Sequence, residues 1–172
     1  MYKLLNLPAA LLAAAVAHAA GKPHVHGTAK LDVAVEDRKV TLDLDSPLDN
    51  LLGFEHPPRT DAERQLSASL VARLRAADTL FKIDPAAHCR LTRVELASTA
   101  LDLGHPDPSE AGHADIDGTF EFDCVDAAKV AWIDVGLFDY ARLQSIEVQV
   151  ATPSGQFRRD LKRPTARLLL TK

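Results

Sequence analysis

Strict alternation of apolar and polar residues is the feature that most constrains the fold of this chain. Residues 28–35 and 40–44 each place an apolar side chain at every second position. Successive side chains of a strand point to opposite faces of a sheet, so this period of two predicts strands buried on one face. Glu36-Asp37-Arg38 lies between the two runs as a turn. The two runs are therefore predicted to form a β-hairpin.

Further strands are predicted along the rest of the chain. Cys89 to Leu101 and Asp115 to Cys124 alternate in the same way, and the intervening segment is rich in glycine and proline. These two runs are predicted to form a long hairpin with His105 near its tip and His113 where the return strand begins. Shorter strands are predicted at residues 129–133, 146–150, 156–161 and 167–170.

Helix signals occur in two places. Ser46-Pro47 predicts a short helix, with Ser46 as the N-cap and Pro47 at the first position, that ends at Gly53. A capping box at residues 60–63 opens a longer helix that ends near Asp78. Its predicted apolar stripe consists of Ala62, Leu66, Leu70, Leu74 and Ala77. The sum is an α+β domain, a mainly antiparallel and sandwich-like sheet with one packed amphipathic helix.

The first 19 residues have the features of a secretory signal peptide. Lys3 supplies the positive charge, residues 7–16 are apolar, and Ala17-His18-Ala19 matches the small-residue cleavage pattern. Cleavage is predicted after Ala19, which makes residues 20–172 a single exported domain. The apolar run is too short for a membrane-spanning helix, and no later segment approaches the required length of about 20 residues. No membrane span is therefore predicted.

The charge balance argues against nucleic acid as a partner. The chain has 20 Lys and Arg residues against 24 Asp and Glu residues, a net charge of -4, and no basic stripe. Proteins that bind nucleic acids neutralise phosphates with clustered Lys and Arg side chains. Nucleic acid is therefore not expected as a partner.

Two cysteines, Cys89 and Cys124, predict one disulfide. An even count in an exported chain indicates a bridge, and two cysteines leave a single connectivity. The bridge would close the base of the long hairpin. The alternative, a redox-active pair, favours a C-x-x-C spacing that this chain lacks.

Histidines near carboxylates predict a metal site. His24-Val25-His26-Gly27 follows the predicted cleavage site, and in an extended strand both imidazoles would lie on one side, about 7 Å apart at their Cα atoms. His113 precedes Asp115 by two residues, which repeats this spacing on a second strand. Imidazole with carboxylate favours Zn²⁺, while Cu²⁺ or Ni²⁺ also fits. Met1, the only methionine, leaves with the signal peptide, which excludes a thioether Cu(I) site.

Each histidine also has an ordinary structural alternative. His24 and His26 would be residues of a mobile terminus, His56 could bond to loop backbone, and His105 would be solvated. A Gly-rich phosphate loop, a G-x-S-x-G elbow and an H-E-x-x-H motif are all absent from the sequence, so catalysis is not expected. Two alternatives stay open, a non-catalytic scaffold that binds a partner by strand addition and a zinc hydrolase.

The order of motifs resembles the ZrgA-type zinc-regulated periplasmic proteins of Gram-negative bacteria. The resemblance covers nearly all of the mature chain, and S-P-x-x-N-L-x-G-F-E-H is its most specific part. The motifs that carry it are His24-Val25-His26-Gly27, Leu42-Asp43-Leu44-Asp45-Ser46-Pro47, Asn50-Leu51-Leu52-Gly53-Phe54-Glu55-His56, Cys89, His113-Ala114-Asp115-Ile116, Phe122-Asp123-Cys124 and Ile146-Glu147-Val148-Gln149-Val150.

The resemblance implies a periplasmic Zn²⁺-binding protein that supports zinc uptake and passes metal to an ABC-type zinc importer. Carried over by position, the family motifs supply His24, His26, Glu55 and His56, with His113 and Asp115 on the return strand. The predicted ligand set is His24, His26, His56, His113 and Asp115, with Glu55 and His105 as weaker candidates. Relatives often carry long His/Asp-rich tracts, whereas the hairpin loop here is short and holds only His105. Positions such as Asp117, Thr119 and Glu121 often hold histidine in relatives. One specific site is therefore expected, rather than a high-capacity zinc store.

Overall fold

The computed structural model describes residues 25–105 and 114–170. Its helices are α1 (Leu48–Leu52), α2 (Asp61–Arg75) and α3 (Ala77–Leu80). Its strands are β1 (Thr28–Glu36), β2 (Lys39–Pro47), β3 (Phe81–Ile83), β4 (Cys89–Ala97), β5 (Asp115–Cys124), β6 (Trp132–Val135), β7 (Ser145–Thr152), β8 (Gly155–Lys162) and β9 (Arg167–Leu169). None of the helices in these ranges is long and apolar enough to cross a membrane.

The strands form two sheets. The larger sheet has the order β4-β5-β2-β1-β7-β8, and the smaller one has the order β3-β6-β9. All pairings are antiparallel except that of β1 with β7, which is parallel. The predicted first hairpin is confirmed, with Leu31 opposite Leu44 and Val33 opposite Leu42. The antiparallel-rich, sandwich-like α+β architecture is confirmed as well.

The core lies on one face of the larger sheet, and α2 contributes Leu70 and Leu74 to it. The capping box that opens α2 is confirmed, because the Thr60 hydroxyl accepts from Glu63 N. The predicted stripe is wrong in its first half, since Leu66 is 53 % exposed and Ser67 is buried instead. The buried stripe of α2 is thus shorter than the helical period predicted, because Leu70 and Leu74, in the second half of the helix, reach the core and Leu66 does not.

Two predicted boundaries are corrected by the packing. The short helix does not begin at Ser46, because β2 continues through Pro47 and α1 begins at Leu48. The Ser46 hydroxyl instead donates to the Pro47 carbonyl and accepts from the side chain of Asn50. The end of this helix at Gly53 is confirmed, with a φ of +85°. Strand β4 ends at Ala97, before the predicted Leu101, because the chain turns there.

A disulfide closes one end of the larger sheet. Cys89 and Cys124 are bonded and lie directly opposite each other on β4 and β5, as predicted. Cys124 N also donates to the carbonyl of Arg38, in the turn between β1 and β2, over 2.7 Å. We call the part of the sheet formed by Arg38, Cys89 and Cys124 the cystine end.

Candidate metal centre

The opposite end of the larger sheet gathers most of the predicted ligands for which the structure describes a position. Strand pairing aligns Thr28 with Ser145 and Pro47 with Asp115, so β1, β5 and β7 begin where β2 ends. We call this region the histidine end, and its residues are His26, Gly27, Asn50, Glu55, His56 and Asp115. His24 and His113, which precede β1 and β5 in the sequence, lie outside the described residues.

His26 lies in a turn at the start of β1. Thr28 N donates to the Val25 carbonyl over 3.0 Å, which places His26 and Gly27 at the two central positions of a β-turn. Gly27 has a φ of +82°, a conformation that glycine adopts without steric cost. The predicted extended strand is therefore wrong at His26, and the same-face argument for neighbouring histidines does not apply there.

The His26 side chain meets Glu55. Its Nε2 atom lies 2.9 Å from Glu55 Oε1, and the two side chains are 63 % and 37 % exposed. The two side chains form an ion pair when the imidazole is protonated. The structure thus brings the H-x-H-G motif to the F-E-H motif, through a residue ranked only as a weaker ligand candidate from sequence.

The side chain of Asn50, in α1, connects the two motifs through hydrogen bonds. Its Oδ1 accepts from Gly27 N over 2.6 Å, and its Nδ2 donates to the Thr28 carbonyl over 2.9 Å. Nδ2 also lies 3.3 Å from the Ser46 hydroxyl, and Asn50 is only 1 % exposed. Sequence reasoning missed this role. Its signal was a polar residue inside a short apolar helix, because a buried amide must find hydrogen-bond partners.

The residues just before and at the start of β7 contact the glycines of both motifs. The Gly27 carbonyl accepts from Gln144 N over 2.8 Å and from Ser145 N over 3.0 Å. The Arg142 guanidinium packs over Gly53, where a Cβ atom would lie 3.0 Å from Nε. The positions of the two motif glycines are therefore set by one neighbouring segment.

His56 does not join the His26–Glu55 pair. Its Nδ1 donates to the Pro57 carbonyl over 2.9 Å, and its ring stacks on Phe54 with centroids 5.0 Å apart. Hydrogen bonds from the backbone N–H groups of Arg59 and Thr60 lower the pKa of Glu63, and the nearby His56 side chain adds to this lowering. His56 therefore lies beside the start of α2, and its ring contacts Phe54 and Pro57.

Asp115 and His105 also stay apart from the pair. Asp115 is buried at the start of β5. The pKa of Lys30 is raised mainly by its hydrogen bond to Asp45, and the charge of Asp115 makes a smaller contribution. His105 is exposed and lines a surface cavity with Glu95 and Asp117. Within residues 25–105 and 114–170, no three His, Cys, Asp or Glu side chains are close enough to hold a metal ion. His26 and Glu55 are thus two donors without a third among the described residues.

The comparisons with known proteins give the family of the chain. No curated protein matches it. The family model described as ZrgA family zinc uptake protein matches residues 23–170, which begin just before His24 and end beside the last strand. The description names zinc uptake, which is the role that the resemblance in sequence motifs implied. The chain therefore belongs to the ZrgA family of zinc uptake proteins, and its role lies in zinc uptake.

Proposed function

We propose that this protein is a periplasmic zinc-binding accessory protein, with a Zn²⁺ site at the histidine end. The carrying observation is the 2.9 Å separation between His26 Nε2 and Glu55 Oε1. Imidazole nitrogen and carboxylate oxygen are both common zinc ligands. Zinc is the cargo of the family, so the site would bind it reversibly.

The spacing of the pair suits a shared ion. Tetrahedral zinc with bonds of about 2.05 Å holds its ligand atoms about 3.3 Å apart. The observed 2.9 Å would have to open by a few tenths of an ångström, which rotation of exposed side chains can supply. Zinc requires a neutral imidazole and an ionised carboxylate, so binding the ion would displace any proton held on His26 Nε2.

A zinc site needs one or two further protein ligands. We propose His24 and His113 for these positions, because His24 lies two residues before His26 and His113 two residues before β5. His56 and Asp115 are the alternatives at the same end of the sheet. Cu²⁺ and Ni²⁺ accept the same donor set and would compete for it.

Export and transfer complete the proposal. The signal-like segment at residues 1–19 would send the domain to the periplasm and be cleaved after Ala19, leaving residues 20–172 as one metal-binding domain. The exposure of His26 and Glu55 favours direct handover of the ion to a partner protein. The periplasmic component of an ABC-type zinc importer is the proposed recipient.

Calorimetric zinc titration of the mature protein tests the site. We expect one ion bound more tightly than about 10 µM, and loss of that binding in His26→Ala and Glu55→Gln. His88→Asn is the matched control, because His88 is exposed beside the cystine end and asparagine tolerates its φ of +50°. Absence of binding in wild type, or unchanged binding in His26→Ala, would favour the scaffold alternative.

A further inference from the structure

We propose that Asn50 is the positioning residue of the zinc site, which holds the two ligand-bearing segments in register before metal arrives. This inference rests on the proposed function, since it assumes that His26 and Glu55 bind zinc. Its evidence is separate, because it comes from the hydrogen bonds beneath the ligands. The Asn50 clamp is the set of three contacts that the Asn50 side chain makes to Gly27, Thr28 and Ser46.

The orientation of the Asn50 amide is determined by its partners. Gly27 N can only donate and the Thr28 carbonyl can only accept, so Oδ1 must face the first and Nδ2 the second. The Ser46 hydroxyl donates to the Pro47 carbonyl and accepts the remaining N–H of the amide. All three contacts use the amide as one acceptor and two donors, which a carboxylate cannot reproduce.

The clamp acts on His26 through the backbone. The Gly27 N–H belongs to the planar peptide unit that also contains the Cα and carbonyl of His26. Holding this N–H at 2.6 Å from Asn50 Oδ1 therefore fixes the backbone dihedral that follows the His26 Cα. The direction of the Cα–Cβ bond of His26, from which the imidazole extends, is set as a consequence.

The same side chain acts on Glu55 through α1. Asn50 lies in the middle of α1, which ends at Gly53 with Gly53 N donating to the Asp49 carbonyl. Glu55 follows two residues later. One buried residue thus connects the peptide of the first ligand to the helix that carries the second. Preorganised ligands bind metal more tightly, because less ordering remains to be done on binding.

A purely structural role would change stability without changing the site. Any buried, fully bonded asparagine contributes to folding, so loss of stability alone does not identify a positioning residue. The discriminating readouts are the zinc dissociation constant of the folded variant and the absorption spectrum of its Co²⁺ complex. Co²⁺ reports the geometry of the bound site, which a distant structural defect leaves unchanged.

The test compares Asn50→Asp and Asn50→Ala with wild type. Asn50→Asp keeps an acceptor for Gly27 N but loses both donors, whereas Asn50→Ala loses all three contacts. We expect folded Asn50→Asp to bind Zn²⁺ about tenfold more weakly and to give an altered Co²⁺ spectrum. Leu74→Ala, a buried change on α2, is the control that lowers the melting temperature without changing zinc affinity.

The outcomes separate the two proposals. If His26→Ala abolishes zinc binding while both folded Asn50 variants bind within twofold of wild type, the clamp is overturned and the site stands. If wild type binds no zinc, or His26→Ala binds it normally, both proposals fail. If every Asn50 variant is unfolded by circular dichroism, Asn50 is a folding residue and the positioning role is overturned.

Discussion

The cystine end and the histidine end of the larger sheet are held in different ways. At the cystine end a covalent bond joins β4 to β5, and Cys124 is fully buried. At the histidine end one buried amide, Asn50, supports the turn that carries the proposed ligand His26, and the side chains of His26 and Glu55 are exposed. The first arrangement closes the sheet, whereas the second fixes the backbone and leaves donor atoms accessible.

This difference separates stability from binding. A disulfide constrains the chain whether or not metal is present, so the cystine end can keep the sheet intact in both states. An exposed imidazole–carboxylate pair contributes little to folding, which leaves both side chains available to a metal ion. A protein that takes up and releases a cargo ion needs both properties in separate places.

The largest expected effect comes from removing the disulfide. The Cys89→Ser/Cys124→Ser variant should lose about 4 kcal/mol of unfolding free energy, from the loop entropy of its sequence separation of 35 residues. Guanidinium denaturation measures this loss. Zinc affinity of the folded fraction should not change, and a weaker affinity would break the proposed separation of the two ends.

Zinc itself should have the next largest effect. At a free concentration of 100 times its dissociation constant, an ion that binds only the folded state stabilises it by about 2.7 kcal/mol. We expect this gain in wild type and in the variant without the disulfide, measured by denaturation with and without zinc. It should vanish in His26→Ala, and persistence there would place the zinc site elsewhere.

A smaller loss is expected at the start of α2. Thr60→Ala removes the hydroxyl that accepts from Glu63 N and should cost about 1 kcal/mol of unfolding free energy. The change lies near His56, whose charge reaches Glu63. Calorimetry should find unchanged zinc affinity, whereas a weaker affinity would favour His56 as a further zinc ligand beside His26 and Glu55.

The smallest effect is expected between the two ends, at Asp32. Partial desolvation raises the pKa of this exposed carboxyl, with further contributions from Asp43 and Asp45. A raised folded-state pKa means that the stabilising protonated form is present at low pH and lost as pH rises through that pKa. Asp32→Asn should therefore stabilise the protein at pH 7, by only about 0.5 kcal/mol because solvent screens the charges of exposed carboxyls.

The pH dependence of Asp32→Asn gives its check. The gain over wild type should shrink as pH falls through the raised folded-state pKa and should be absent below the unfolded-state value of about 3.9, in denaturation curves measured across that range. A loss of stability at pH 7 would mean that the Asp32 carboxylate is favourably paired, and zinc affinity should not change in either case.

Local patterns predicted most of the strands, but not the pairing of strands that lie far apart in the sequence. Alternation at Leu31 and Val33 specified β1, and the capping box at Thr60 specified the start of α2. The parallel pairing of β1 with β7 has no local signal, because it joins segments far apart in the chain. The exposed Leu66 shows the same limit, since a helical period does not say how far the core extends.

The candidate site was predicted in its residue types but not in its geometry. Sequence placed His26 in a strand, whereas the glycine after it allows a turn. The contact with Glu55 depends on the hydrogen bonds of Asn50, which cross 22 and 23 positions of sequence. A pattern of ligands along the chain does not encode such a contact.

Anomalous diffraction from crystals of the zinc-loaded mature protein tests the central claim most directly. We predict a zinc ion about 2.0–2.2 Å from both His26 Nε2 and a carboxylate oxygen of Glu55. An ion bound elsewhere, with His26 Nε2 still paired directly with Glu55, would contradict the assignment of the histidine end as the zinc site.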